Sequence, residues 1–268
     1  MKFVNGIGKT LALLVLAALL GCQSFNMREF AYRHSLQLEA VTDPLPLRVL
    51  HRAPSRRVSA LRVYLGGDGI PWRNGQPADN PTGRRAPLGL RLFVRDTRAH
   101  AYVGRPCYHL NEPLPPVCSK SLWTSHRYSE DVVTALSEQV ERLAQRYAQE
   151  NIELIGHSGG GALALLVAAR LPATTSVVTI AAPLAPQAWA DFHRLLPLSG
   201  SLSPMTAARK SGFTERHYMG DQDTVVPPAL SAGYGERFPA ATLRIIDGFD
   251  HHCCWESHWP ELLEQSDP

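Results

Sequence analysis

Residues 151–170 (NIELIGHSGGGALALLVAAR) constrain what this chain can fold into more than any other stretch. A short β-prone run, Ile152 to Ile155, leads into Gly156-His157-Ser158-Gly159-Gly160, and an apolar run rich in alanine and leucine follows. Strand, G-x-S-x-G turn and helix in that order hold a serine at a sharp strand-to-helix bend. The bend must be tight enough to lift the Ser158 hydroxyl above the end of a sheet. Such a turn forces the backbone into a sparsely populated conformation, and flanking glycines leave room for it. Ser158 is therefore the candidate nucleophile. The N–H of Gly159, at the start of the helix, points toward any oxyanion that forms beside it.

The chain before this stretch divides at Cys22. Lys2 and Lys9 flank a polar start, and Thr10 to Leu20 is an apolar run too short to span a membrane as a mature helix. It ends in Leu19-Leu20-Gly21-Cys22, which resembles the lipobox of bacterial lipoproteins. That resemblance implies a signal peptide over residues 1–21, cut before Cys22, and lipid chains on Cys22, with residues 22–35 as a lipidated tether. Such chains anchor a protein without a transmembrane helix. Gln23, rather than Asp, after the cysteine implies sorting to the outer membrane on its periplasmic side. The alternatives are an ordinary signal peptide and a free cysteine. Removing residues 1–21 takes away two lysines and no acid, so the formal net charge falls from +3 to +1. That balance makes no case for nucleic acid or an anionic membrane patch as partner.

Residues 36–268 suit one α/β domain with a sizeable core, and the 44% hydrophobic content of the chain agrees. Leu36 to Val41, Leu47 to His51 and Leu61 to Leu65 read as strands, the first two joined by an Asp43-Pro44 turn. Arg73 to Pro87 is rich in Pro, Gly, Asn and Arg and reads as a surface loop. A short helix over Leu88–Arg95 and a short strand over His100–Val103 follow, and then a long loop from Arg105 to Ser125. Ser129 is placed to cap a helix whose apolar face is Val132, Leu136, Val140, Leu143 and Tyr147. Beyond the serine turn, Ser176–Ala181, Phe213–Met219 and Leu243–Ile246 read as strands, and Trp255–Glu264 as a closing helix. Residues 183–212 hold scattered prolines and short apolar groups, enough for a small cap.

Two segments complete a constellation. Gly220-Asp221-Gln222-Asp223-Thr224-Val225-Val226-Pro227 follows a late strand, and Asp247-Gly248-Phe249-Asp250-His251-His252 follows the last one. With Ser158 they give the chain order serine, acid, histidine. In that order, and in the match of the acid segment to the pattern G-x-x-D-x-x-V-P, the chain resembles a serine hydrolase of the α/β-hydrolase superfamily. The resemblance covers nearly all of residues 36–265. It implies a mostly parallel central sheet with helices on both faces and a small cap over about 183–212. It assigns Ser158, Asp223 and His251 to a catalytic triad, with Asp221 and His252 as alternates; Asp221 could instead cap its turn.

The same resemblance puts the second oxyanion-hole N–H in the loop after the third strand, Gly66-Gly67-Asp68-Gly69-Ile70-Pro71-Trp72, from Gly67 or Asp68 beside that of Gly159. Trp72 either walls an acyl pocket or packs in the core. His157 braces the turn or lines the pocket. The implied reaction is acyl transfer to water, with no metal or organic cofactor. The substrate would be a small-molecule or lipid ester, with thioesters, other acyl acceptors and peptides as alternatives on the same triad. Sequence leaves the oligomeric state open, and His-His-Cys-Cys after the last strand is unusual for the superfamily, so no subfamily is fixed.

Four cysteines besides Cys22 remain, and an oxidising compartment favours their pairing. Cys107 with Cys118 inside the proline-rich loop is the expected bridge. An adjacent Cys253–Cys254 bridge would need a strained ring, and either could instead clamp the histidine loop to Cys107 or Cys118. A metal site of His251, His252, Cys253, Cys254 and His258 is the rival in another class, but adjacent ligands converge poorly on a tetrahedral ion. A non-catalytic envelope binding module is the second rival, and retention of all three triad residues argues against it.

Overall fold

The computed structural model describes residues 25–52, 59–209 and 212–264. The leader and Cys22 lie outside them, so the anchor and its lipid are not among the described residues. The centre is an eight-stranded sheet: β1 (Gln37–Val41), β2 (Leu47–His51), β3 (Leu61–Leu65), β6 (Ala101–Val103), β7 (Ile152–His157), β8 (Thr174–Ile180), β9 (Thr214–Gly220) and β10 (Thr242–Ile246). A separate hairpin contributes β4 (Trp72–Arg73) and β5 (Gln76–Pro77). Across the sheet the order is β1-β2-β6-β3-β7-β8-β9-β10. Strand β2 runs antiparallel to both neighbours, and all pairings from β6 to β10 are parallel.

The central strands are buried on both faces, so alternate residues feed two different cores. Val63 and Leu154 pack into one core, under α3 (Glu130–Tyr147) and α4 (Gly159–Ala168). Tyr64 and Ile155, one residue on, pack into the other, under α1 (Met27–Arg33), α2 (Leu88–Arg95) and α7 (Trp255–Glu264). Helix α4 is buried at all ten positions, which explains a run with no polar face. Helix α3 has the expected amphipathic form: Ser129 caps it, Glu130 and Asp131 fill the first turn, and Val132, Leu136, Val140 and Leu143 are buried. On the other face Trp255 and Trp259 of α7 are fully buried, and the Trp259 indole N–H donates to the Tyr64 hydroxyl at 2.7 Å.

Three segments differ from the sequence reading. Residues 22–35 are not tether throughout, because Met27–Arg33 is helical and Asn26 Oδ1 accepts from the Arg28 and Glu29 N–H groups. Only Met27 and Ala31 are buried on α1, one pair four residues apart, too little apolar periodicity to read as a helix. The Arg73–Pro87 loop contains the β4–β5 hairpin, which turns at Asn74-Gly75 with positive φ at both residues. Residues 183–212 include α5 (Pro186–Phe192), and a further short helix, α6 (Ala232–Arg237), follows β9.

The cysteines pair within each segment. Cys107 is bonded to Cys118, and Cys253 is bonded to its neighbour Cys254 in spite of the ring expected to disfavour it. Neither bridge joins the histidine loop to the proline-rich loop.

Candidate active site

The loops that follow β3, β7, β9 and β10 all leave the carboxyl ends of parallel strands, where open α/β sheets place their ligands. Ser158 stands between β7 and α4 with φ 54° and ψ −132°, a backbone conformation that side-chain-bearing residues seldom adopt. It is fixed by two main-chain bonds, Ser158 N–H to Ile180 O and Gly161 N–H to Ser158 O, both 2.8 Å. The turn is so tight that a Cβ at Gly156 would lie 2.1 Å from the Gly160 carbonyl oxygen.

Ser158, His251 and Asp223 are brought together. Ser158 Oγ lies 3.1 Å from His251 Nε2, and His251 Nδ1 lies 2.9 Å from Asp223 Oδ2. The other oxygen of Asp223 accepts from the Val225 and Val226 N–H groups at 2.8 and 2.7 Å. The carboxylate is thus held from both sides at 3% exposure, with its Oδ2 committed to the imidazole. An N–H at Nδ1 leaves Nε2 as the acceptor for the serine hydroxyl, the arrangement a general base needs.

The alternates sit elsewhere. Asp221 Oδ1 accepts from Gly248 N–H at 2.7 Å and ties the β9 loop to the β10 loop. His252 is on the outer side of the histidine loop, its ring centroid 4.9 Å from that of His251. Cys253 and Cys254 are bonded to each other, so neither offers a thiolate to the metal set weighed above.

His157 braces the site by a route the sequence left open. Burial, then the neighbouring His251, hold its pKa well below the ordinary histidine value, so its ring is neutral. Its Nε2–H donates to the main-chain oxygen of His251 at 2.8 Å. The residue before Ser158 therefore supports the backbone of His251, which faces the serine.

Gly67 lies against the serine turn, where a Cβ would stand 3.0 Å from His157 O and 3.8 Å from Ser158 Cβ. The Asp68 carboxylate lies against the first residue of α4: a Cβ at Gly159 would meet its Oδ1 at 2.1 Å. That carboxylate accepts from Arg105, from Arg127 at 3.1 Å and from the Tyr128 hydroxyl at 2.8 Å, while Tyr108 donates to the Asp68 main-chain oxygen at 2.8 Å. Burial alone would raise its pKa, but Arg105 and Arg127 hold it below the usual carboxylate value. Two guanidinium groups against one carboxylate leave one unit of positive charge beside the N-terminus of α4. This side-chain cluster is not legible in the sequence, because residues 68, 105, 127 and 128 share no local spacing. Trp72 is half-buried in the hairpin.

Residues 102–192 match the family model of the class 3 lipases. The match runs from β6 to the end of α5; it includes Ser158 and stops before Asp223 and His251. No curated protein sequence matches the chain. Among solved structures the chain is similar to Est1E from Butyrivibrio proteoclasticus (13% identity, 85% of this chain and 96% of that one, TM-score 0.59). It is also similar to XC6422 from Xanthomonas campestris, described as an α/β serine hydrolase without a lid (15% identity, 87% and 97%, TM-score 0.52). A third is the acylaminoacyl peptidase of Pyrococcus horikoshii (12% identity, 81% and 38%, TM-score 0.57). At such identities the structures speak for the fold, and the lipase match adds the serine-turn region to it. The chain therefore has the α/β-hydrolase fold, and over residues 102–192 it is similar to the class 3 lipases.

Proposed function

We propose that this protein is a membrane-anchored serine hydrolase that cleaves carboxylic esters through a Ser158–His251–Asp223 acyl-enzyme mechanism. The observation that carries the reading is His251, whose two ring nitrogens reach Ser158 Oγ and Asp223 Oδ2 at 3.1 and 2.9 Å. Ser158 Oγ attacks the ester carbonyl carbon as its proton passes to His251 Nε2. Asp223 stabilises the imidazolium, and the carbonyl oxygen becomes an oxyanion facing the Gly159 N–H and the Gly67-Asp68 loop. Collapse expels the alcohol, which takes the proton from Nε2, and leaves the acyl group on Ser158. His251 then takes a proton from water, which attacks the acyl carbon; collapse returns that proton from Nε2 to Ser158 Oγ and releases the carboxylic acid. The excess positive charge of Arg105 and Arg127 over Asp68 favours the oxyanion across the wall of the site.

A fluorophosphonate probe followed by intact-mass measurement tests the mechanism. One adduct is expected on the wild type, none on Ser158→Ala, and a much slower one on His251→Ala. A folded wild-type protein that takes no adduct would sink the mechanism. An ester panel run beside thioesters and peptide amides separates the substrate classes, with carboxylic esters expected to turn over fastest. The anchor is tested separately. Labelled palmitate should enter the protein and be lost with Cys22→Ser, and Gln23→Asp should shift it from outer- to inner-membrane fractions.

A further inference from the structure

A second polar site is lined by none of Ser158, Asp223 and His251. A cavity of about 480 Å³ opens between α1, β2 and the loops around residues 80 and 110. Arg28 and Arg48 line it together with Asn80, Thr82, His109 and Asn111, and among the described residues no aspartate or glutamate does. Among the described residues neither arginine forms an ion pair; the acids of α1 and β1 are engaged by others, Glu29 by Arg33 and Glu39 by Arg146. The side-chain contact of Arg48 is a long one, 3.4 Å to its neighbour's carbonyl. The two guanidinium groups also feel each other: after burial, the charge that lowers the pKa of Arg48 is Arg28.

Neutral hydrogen-bonding groups complete the lining. Asn80 Oδ1 accepts from the Thr82 N–H, which leaves the Asn80 amide NH2 free to donate. Thr82 Oγ1 accepts from the His109 N–H at 2.8 Å, so its own proton is directed elsewhere. Among the described residues His109 Nδ1 is buried with no partner. Phe25, Met27, Leu38 and Leu110 supply an apolar side. Two like charges facing one cavity repel, and an anion with several acceptor oxygens would relieve that repulsion while meeting the fork geometry of both guanidinium groups. The volume exceeds that of an inorganic anion, and the apolar side favours an ester of it.

We propose that this cavity binds a phosphate ester, with Arg28 and Arg48 holding the phosphate and Asn80, Thr82 and His109 hydrogen-bonding its oxygens. A soluble sugar or glycerol phosphate and a phospholipid headgroup share this chemistry. The site is independent of ester hydrolysis at Ser158.

The test uses the full chain in neutral maltoside micelles at constant ionic strength. Glycerol phosphate is titrated by calorimetry in one arm, and phosphatidylglycerol is doped into the micelles in the other. The wild type is expected to bind, and Arg28→Gln/Arg48→Gln to bind at least tenfold more weakly, with turnover of a soluble ester unchanged. The ring 15N resonances of His109 should shift on binding. Arg28→Gln alone, at an exposed position on α1, keeps the test available should the double variant melt early. Arginine-dependent binding of glycerol phosphate assigns the site to a soluble phosphate ester. Arginine-dependent binding of the doped lipid alone assigns it to a headgroup. Equal binding by wild type and double variant, or no binding of either probe, overturns the proposal.

Discussion

Removing the Asp68 carboxylate would leave two buried guanidinium groups beside α4 without their counter-charge. Breaking one side of such a buried cluster costs about 3–5 kcal/mol, and Asp68→Ala should show that loss in urea unfolding. His157→Phe keeps an aromatic ring, a slightly bulkier one, and deletes the donor to His251 O. A hydrogen bond worth about 1 kcal/mol then predicts a fall in kcat of roughly fivefold to tenfold with KM unchanged, measured on a soluble ester. His109 sets an acid-side limit: burial, then Arg48, push its imidazole down to about 4. Because its unfolded value is near 6.5, its contribution to stability is intact above about pH 6.5. It is lost as pH falls toward about 4, since the unfolded chain takes up the proton first. Chemical denaturation across that window should show a decline that His109→Gln flattens. Of these three residues only His157 was legible in advance, because it sits inside a motif. Asp68 was legible as backbone alone, since the charges that hold its side chain come from another loop.

Helix α3 owes its start to Ser129, whose Oγ accepts from Val132 N–H at the long distance of 3.4 Å. A cap of that length belongs at the lower end of the usual range, so Ser129→Ala should cost about 0.5–1 kcal/mol in thermal or urea melts. The β7–α4 junction tolerates far less. At Gly156 an added methyl meets the Gly160 carbonyl, which is main chain and cannot rotate away. Gly156→Ala should therefore abolish probe labelling of Ser158 and cost more than the roughly 1–3 kcal/mol of ordinary overpacking. Elements whose pattern arises from burial were readable at this scale: β2, β3, α2 and α7 fall on the residues their apolar patterns indicate. Elements held by few buried residues were not. In α1 two buried side chains carry the helix, and α5 buries only Pro186 and Ala190. Such short helices are fixed by what they dock against, which no window of sequence contains.

Across the whole molecule, the sheet order was legible only as a class. Chain order gave serine, acid and histidine, but their meeting depends on β7, β9 and β10 lying nearly side by side with their carboxyl ends level. The Cys107–Cys118 bridge closes the loop that also delivers Arg105 to Asp68. Replacing both cysteines by serine should cost about 2–3 kcal/mol and slow labelling of Ser158, two effects that melts and probe kinetics read separately. Residues 186–202 are tied down at two points. Trp189 and His193 reach the main-chain oxygen of Val225 in the acid loop, and Ser201 and Leu202 bond to residues 125 and 128. Ties at both points would hold this stretch down at an oil–water boundary. Turnover of a sparingly soluble ester should then rise smoothly with concentration through its solubility limit, with no jump in rate and no lag when droplets form.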